Sequence, residues 1–188
     1  MAEFRHETVR LILRDWREAD WAEFWRVTNT EPVMRWLGGV QDAAGMAAAR
    51  ARLESYQSEH GHTFWVVERK EDGALLGFCG LKRSNQAGGP QGMIEVGWRL
   101  REDAWGKGYA KEAAAAALDL AFGRFGADEV IALTVERNPA SWGLMLRLGM
   151  ERREDLDFAS PDFDPENPLI IAYSITRAAW RGSDVTLS

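Results

Sequence analysis

The sequence predicts one α/β domain over residues 1–188, with a single mixed sheet covered by helices. Three observations carry this: stretches of period-2 apolar alternation, an Asp-Gly turn joining two of them, and a strand–helix–strand unit in the second half. A chain of 188 residues is long enough to bury a core without disulfide or metal staples.

Residues 9–14 (VRLILR) alternate branched apolar with basic side chains and open the sheet. Asp20, as an N-cap, precedes Trp21, Phe24, Trp25 and Thr28 at helical spacing, and Glu31-Pro32 interrupts that helix. A second helix runs from Asp42 to His60 and stops at Gly61. Residues 63–70 and 74–83 read as two strands around Glu71-Asp72-Gly73, because Asp-Gly supplies the positive-φ residues of a hairpin. Residues 84–91 form a loop, and residues 93–100 (MIEVGWRL) are a buried strand. An Ala-, Leu- and Lys-rich helix over residues 108–125 and a β-branched strand over 129–135 complete a right-handed parallel crossover. Pro139 starts another helix that stops at Gly149, a short strand follows near 150–154, and residues 169–175 are the last strand.

Composition excludes several functions. A formal net charge of −6 argues against a nucleic-acid partner, which needs a concentrated excess of Lys and Arg. It suits an amine-bearing or cationic substrate better. With one cysteine, Cys79, no intrachain disulfide or Cys-based zinc site forms, and a cytoplasmic location is expected. No apolar run suggests export or a membrane anchor. His6, His60 and His62 match no metal-binding spacing and read as surface residues. Nine tryptophans suggest aromatic core, pocket or interface.

The informative segment is Trp105-Gly106-Lys107-Gly108-Tyr109-Ala110, which follows a strand and opens a helix. There backbone N–H groups can point at one locus at the positive end of a helix dipole, a place that binds phosphate, unless the glycines serve only the geometry of the turn. The two glycines permit close approach, and Lys107 adds a positive charge. The pattern is neither a P-loop nor a dinucleotide fingerprint, whose third Gly or Ala is replaced by Lys111, so a nicotinamide-dependent oxidoreductase is disfavoured.

This segment resembles motif A of the GNAT acetyltransferases, [Q/R]-x-x-G-x-[G/A]. Asn138-Pro139-Ala140-Ser141 with Leu144, Leu148 and Gly149 is similar to the family's Asn-x-x-[Ser/Ala] helix, and residues 8–16 (TVRLILRDW) resemble the opening strand of its RimJ/RimL branch. The resemblance implies the GNAT fold, a mixed and mostly antiparallel sheet flanked by helices. It implies acetyl-CoA as donor, its pyrophosphate on residues 105–110, and its pantetheine arm against Asn138 and backbone groups of Val96, Gly97 and Trp98 where the strand splays, with Gly97 allowing close approach. The acceptor is then a primary amine of a protein N-terminus, a small molecule or an aminoacyl conjugate, attacked directly in a ternary complex. A binding-only sensor or interaction module is the alternative.

Two positions depart from the family pattern. Trp105 replaces Gln or Arg, and Met145 stands where many members carry the tyrosine that protonates the thiolate; a thioether donates no proton. Ser141 is the nearest other donor, unless its hydroxyl caps the helix. Glu95 is the candidate to take the amine proton, unless it only holds an ammonium group or is solvated. Acceptor choice is expected in the first two helices and in loops 84–91 and 155–168, whose acidic residues Asp155, Asp157, Asp162, Asp164 and Glu166 can attract a cation, with Trp25, Trp36 and Phe163 as an apolar wall. Family resemblance and surplus tryptophan also suggest a homodimer.

Overall fold

In the computed structural model, residues 3–164 and 166–182 are described. Their strands are β1 (Arg5–Glu7), β2 (Leu11–Arg14), β3 (Phe64–Arg69), β4 (Leu75–Arg83), β5 (Ile94–Leu100), β6 (Glu129–Val135), β7 (Glu151–Arg152), β8 (Phe158–Ala159) and β9 (Leu169–Thr176). Their helices are α1 (Asp20–Thr28), α2 (Glu31–Met34), α3 (Ala43–His60), α4 (Tyr109–Gly123), α5 (Pro139–Arg147) and α6 (Arg177–Arg181). One sheet runs β1-β2-β3-β4-β5-β6-β9-β7, with β8 also on β9. Every pairing is antiparallel except β5 with β6. The parallel pair follows from the connection, since α4 returns the chain to the end of the sheet from which β5 started.

Of three apolar clusters among the described residues, one gathers Val135, Phe158 and Ile170, and the two that involve α4 and α1 lie on opposite faces. On one, α4 lays the buried alanines Ala113 to Ala117 against Leu13, Val67, Leu81 and Val96; their small size lets the helix approach the sheet closely. On the other, Trp21 and Phe24 of α1 pack on Val66, Leu75 and Phe78. Trp16 stacks on Trp21 with ring centroids 4.0 Å apart. Fully burying Phe24 alone contributes about 1.5–3 kcal/mol.

Several local expectations change. Strand β1 precedes the expected opening strand; its residues, Arg5-His6-Glu7, show no apolar alternation because they form an edge. Asp20 is not the N-cap of α1, which Ala19 is, because its carboxylate is held by Arg14. Pro32 lies in the first turn of α2, where its missing N–H costs nothing. Asp42 and Gly61 do cap α3: the Asp42 carboxylate accepts the Gly45 N–H at 2.8 Å, and Gly61 adopts φ +68°. His62 is buried rather than superficial, with Nδ1 3.0 Å from the Leu81 carbonyl; burial pushes its pKa down. Trp105 is the one exposed tryptophan among the described residues, which removes the aromatic ground for a homodimer.

Candidate active site

The sheet opens at its centre. Parallel pairing of β5 with β6 is made at Ile94–Val130 and Glu95–Ile131. Beyond these, β5 stays with β4 as far as Leu100 and β6 stays with β9 as far as Val135. Among the described residues no β5–β6 rung follows Glu95, so backbone groups on the facing edges beyond it, those of Trp98 and Leu133 among them, are left to hydrogen-bond something inserted between the strands.

At the far end of β5 the chain turns into α4 through Gly106 and Gly108, with φ of +72° and +79°. Such angles favour glycine. A Cβ on Gly106 would meet nothing within 4 Å, so that side of the loop is open, whereas one on Gly108 would lie 3.3 Å from Arg10 Nη2. Helix α4 starts without a side-chain cap, which leaves its first N–H groups for an anion. Loop and opening thus fit a pyrophosphate and a pantetheine arm. Trp105 is 48% exposed, and its indole Nε1–H donates to the Leu100 carbonyl at 2.9 Å, bracing the turn. Lys107 is exposed, Tyr109 buried and Ala110 half-buried.

The loop is held from behind by residues to which the sequence reading assigned no part in the site. The Glu112 carboxylate, in the first turn of α4, accepts from Thr8 Oγ1 at 2.5 Å, the Arg10 backbone N–H at 2.7 Å and Arg10 Nε at 2.6 Å. Arg10 Nη1 also donates to the Lys107 carbonyl at 2.9 Å, and its guanidinium lies 4.6 Å from the Tyr109 ring centre. Desolvation raises the Glu112 pKa, yet the hydrogen bonds from Thr8 and Arg10 outweigh it and the net shift is downward. Thr8 and Arg10 belong to the opening segment TVRLILRDW, so this part of the motif anchors the glycine loop to the sheet.

Alternation along β5 directs Ile94, Val96, Trp98 and Leu100 toward α4, and Glu95, Gly97 and Arg99 toward the α1 face. Gly97 corrects one expectation. A Cβ there would lie 2.8 Å from the Phe64 ring, so on this face glycine admits Phe64 rather than a ligand, and the main-chain groups of Gly97 belong to the ladder with Gly80 of β4 rather than to the opening. Glu95, 6% exposed, occupies the last paired rung. Its Oε2 is 3.3 Å from Lys82 Nζ and 3.4 Å from Gln86 Nε2; Oε1 has no partner among the described residues. Burial pushes its pKa up, and Lys82 offsets only part of that rise.

On α5, Asn138 is the N-cap, its Oδ1 accepting the Ser141 N–H at 3.4 Å. The Ser141 hydroxyl is therefore not the cap, and it makes no hydrogen bond to the described residues. Met145 is fully buried in the α4 core. Cys79 is also fully buried, with burial pushing its thiol pKa up, so it is no nucleophile. The acidic loop differs from expectation too: Asp155 pairs with Arg153, Asp157 with Arg152, and Asp164 and Glu166 with Arg137. Three internal arginines pair with four of the five carboxylates that were expected to attract a cation, and so offset part of their charge.

The open mixed sheet flanked by helices is that of known acetyltransferases. An acetyltransferase of Agrobacterium tumefaciens str. C58 superposes with a TM-score of 0.77 at 24% identity, over 94% of this chain and 96% of that one. A GNAT-family acetyltransferase of Bacillus anthracis gives 0.74 at 23%, over 92% and 98%. The acetyltransferase (GNAT) domain matches residues 10–151, and the chain belongs to that family and is an acetyltransferase. Relatives include the uncharacterized protein YkkB of Bacillus subtilis, 29% identical over 76% of this chain and 83% of that protein. The uncharacterized N-acetyltransferase YnaD of the same organism is 27% identical over 77% and 81%. GNAT acetyltransferases take their acetyl group from acetyl-CoA. No helix of the described residues is long and apolar enough to cross a membrane.

Proposed function

We propose that this protein transfers the acetyl group of acetyl-CoA to a primary amine, by direct attack while both substrates are bound. The observation that carries the proposal is the β5–β6 opening, which has Glu95 at its apex and an uncapped helix start behind two positive-φ glycines at its far end. Gly106, Lys107, Gly108, Tyr109 and Ala110 hold the pyrophosphate through main-chain N–H groups, with Trp105 bracing their turn. The edges of Val96 and Trp98 and the Nδ2 of Asn138 hold the pantetheine arm and orient the carbonyl, with Gly97 between them tied to β4. The bound thioester supplies an activated acetyl group. A nitrogen lone pair forms the new N–C bond as the C–S bond breaks. Glu95 accepts the proton that the nitrogen sheds, through Oε1 or one water, and Ser141 donates a proton toward the departing sulfur. The RimJ/RimL-like opening favours a protein N-terminal amine slightly over a small-molecule amine. One cysteine and no disulfide suit a cytoplasmic enzyme.

Thermal unfolding with acetyl-CoA, and with NAD and ATP as controls, tests the donor. A ligand at about 100 times its Kd stabilises the native state by about 2.7 kcal/mol, so a distinct upshift with acetyl-CoA alone is expected; none at saturating ligand would remove the cofactor reading. Ser141→Ala tests the thiolate acid. A loss of about 100-fold in kcat with little change in the acetyl-CoA KM is expected, and an intact kcat would rule out Ser141 as the donor.

A further inference from the structure

On the face of β5 that carries Glu95, four residues along, Arg99 is half-buried. It points between α1 and β4, its guanidinium 5.8 Å from the Phe24 ring centre and 5.1 Å from that of Phe78. Its Nε is fully buried without a hydrogen-bond partner. Among the described residues no carboxylate pairs with it, and the charge that acts on it is a like one, Arg52 of α3. Burial, then Arg52, push its pKa down to about 10, so it stays charged at neutral pH.

That arrangement is unlike this chain's other enclosed arginines. Arg14, the most buried, is held by two carboxylates, and Arg152 and Arg153 each have acidic partners. A guanidinium whose Nε is shut off from water and that lacks a counter-ion is costly, and an anion at its remaining N–H groups offsets part of that cost. Resting on the acetyl-transfer reading above, we propose that Arg99 is a specificity-determining residue that receives a carboxylate carried by the amine substrate. Three features support a carboxylate on the acceptor. Arg99 and Glu95 share the sheet face opposite α4, whereas the glycine loop that suits the cofactor's phosphates opens α4 itself. The cross-strand ladder Phe64–Phe78, stacked at 4.9 Å, provides an apolar floor between the Gly97 rung and Arg99. A single guanidinium, whose planar fork matches a carboxylate, balances a monoanion better than a dianionic phosphate. The acceptor would then present its amine toward Glu95 and its carboxylate toward Arg99. The overall charge of −6 hides this local positive site.

Titration calorimetry on the CoA-saturated protein tests this with matched probes: phenylalanine and glycylphenylalanine, each as free carboxylate and as carboxamide. At least one carboxylate is expected to bind roughly tenfold or more tighter than its amide, as a charge-assisted hydrogen bond does. Arg99→Ala should reduce that ratio to about one, and Arg99→Lys should retain part of it. An unchanged acetyl-CoA upshift in thermal unfolding shows that the variants are folded. Equal or undetectable binding of acid and amide by the wild type would overturn the proposal. So would an Arg99→Ala variant that loses affinity for CoA and keeps the acid–amide ratio, since the anion would then be a cofactor phosphate. Binding is read without turnover, so a protein that prefers the carboxylate through Arg99 yet never cleaves the thioester would defeat the acetyl-transfer reading and leave this one standing.

Discussion

Glu95→Gln is expected to lower kcat/KM by about 100-fold or more, the usual scale for removing a general base. It is also expected to abolish the acidic limb of the pH profile. The substitution preserves shape, and the new amide oxygen still accepts from Lys82 and Gln86, whose donors lie 3.3 and 3.4 Å from the present carboxylate. What it removes is the ability of Oε1 to take a proton. The base works when ionised, and burial places its pKa above the ordinary 4.5. Wild-type kcat/KM should therefore climb as pH rises through that elevated value, and the variant should show no such climb. A variant with wild-type kcat/KM and an unchanged profile would show that Glu95 only positions Lys82 and Gln86.

The contrast with Lys82 sharpens this expectation. A buried carboxylate beside an ammonium commonly titrates low, but here the pair is long and single, and the desolvation of Glu95 outweighs it. The same pair gives Glu95 a fixed rotamer at the point where β6 leaves β5. The carboxylate is thus both held in place and still able to bind a proton, as proton removal from an ammonium at neutral pH requires.

Much of this was legible in the sequence because its signals are local. Asp42 and Gly61 bracket α3 as written, since caps depend on neighbours within one turn. The glycines at 106 and 108 announced their angles, because a loop between a strand and an uncapped helix has few other ways to turn. Contacts over long separations were hidden. Glu112 reads as one more charge on an Ala-rich helix, and only the fold brings it to Thr8 and Arg10, more than a hundred positions away. Gly97 looked like room for a ligand until the strand register placed Phe64 over it. Part of the acidic loop looked like a cation trap because Arg137, which pairs with Asp164 and Glu166, lies nearly thirty positions earlier, whereas Arg152 and Arg153 stand beside Asp157 and Asp155 in the sequence and could have been read there. Arg99 carried no signal at all: an arginine between two apolar residues on a strand looks solvated, and its missing counter-ion shows only after every nearby carboxylate has been placed.

Asp20→Ala is expected to cost about 3–5 kcal/mol, the scale of breaking a buried ion pair by removing one partner. The reason lies with Arg14, whose side chain is only 5% exposed. Its Nη1 and Nη2 donate to the two Asp20 oxygens at 2.7 and 2.8 Å, and its Nε donates to Glu68 at 2.7 Å. The Arg17 N–H adds a fourth bond, to Asp20 at 2.6 Å. This network fastens the start of α1 to β2 and β3, and so carries the α1 face of the site. Removing Asp20 leaves the buried cation with Glu68 as its one remaining carboxylate among the described residues, so replacing the whole cluster, Arg14→Met with Asp20→Leu and Glu68→Met, should cost less than Asp20→Ala alone. Urea unfolding measures both, and a change below about 1 kcal/mol for Asp20→Ala would disprove the argument. The pH dependence has a fixed sign. Desolvation raises the Asp20 pKa, but the bonds from Arg14 and Arg17 prevail and hold it below its ordinary 3.8. Its contribution is therefore complete above 3.8 and fades as pH falls through the lower, folded-state value. Wild type and Asp20→Asn should differ by a constant amount from neutral pH down to about 4 and converge only below it, whereas a gap that closed between pH 7 and 5 would point to some other titrating group.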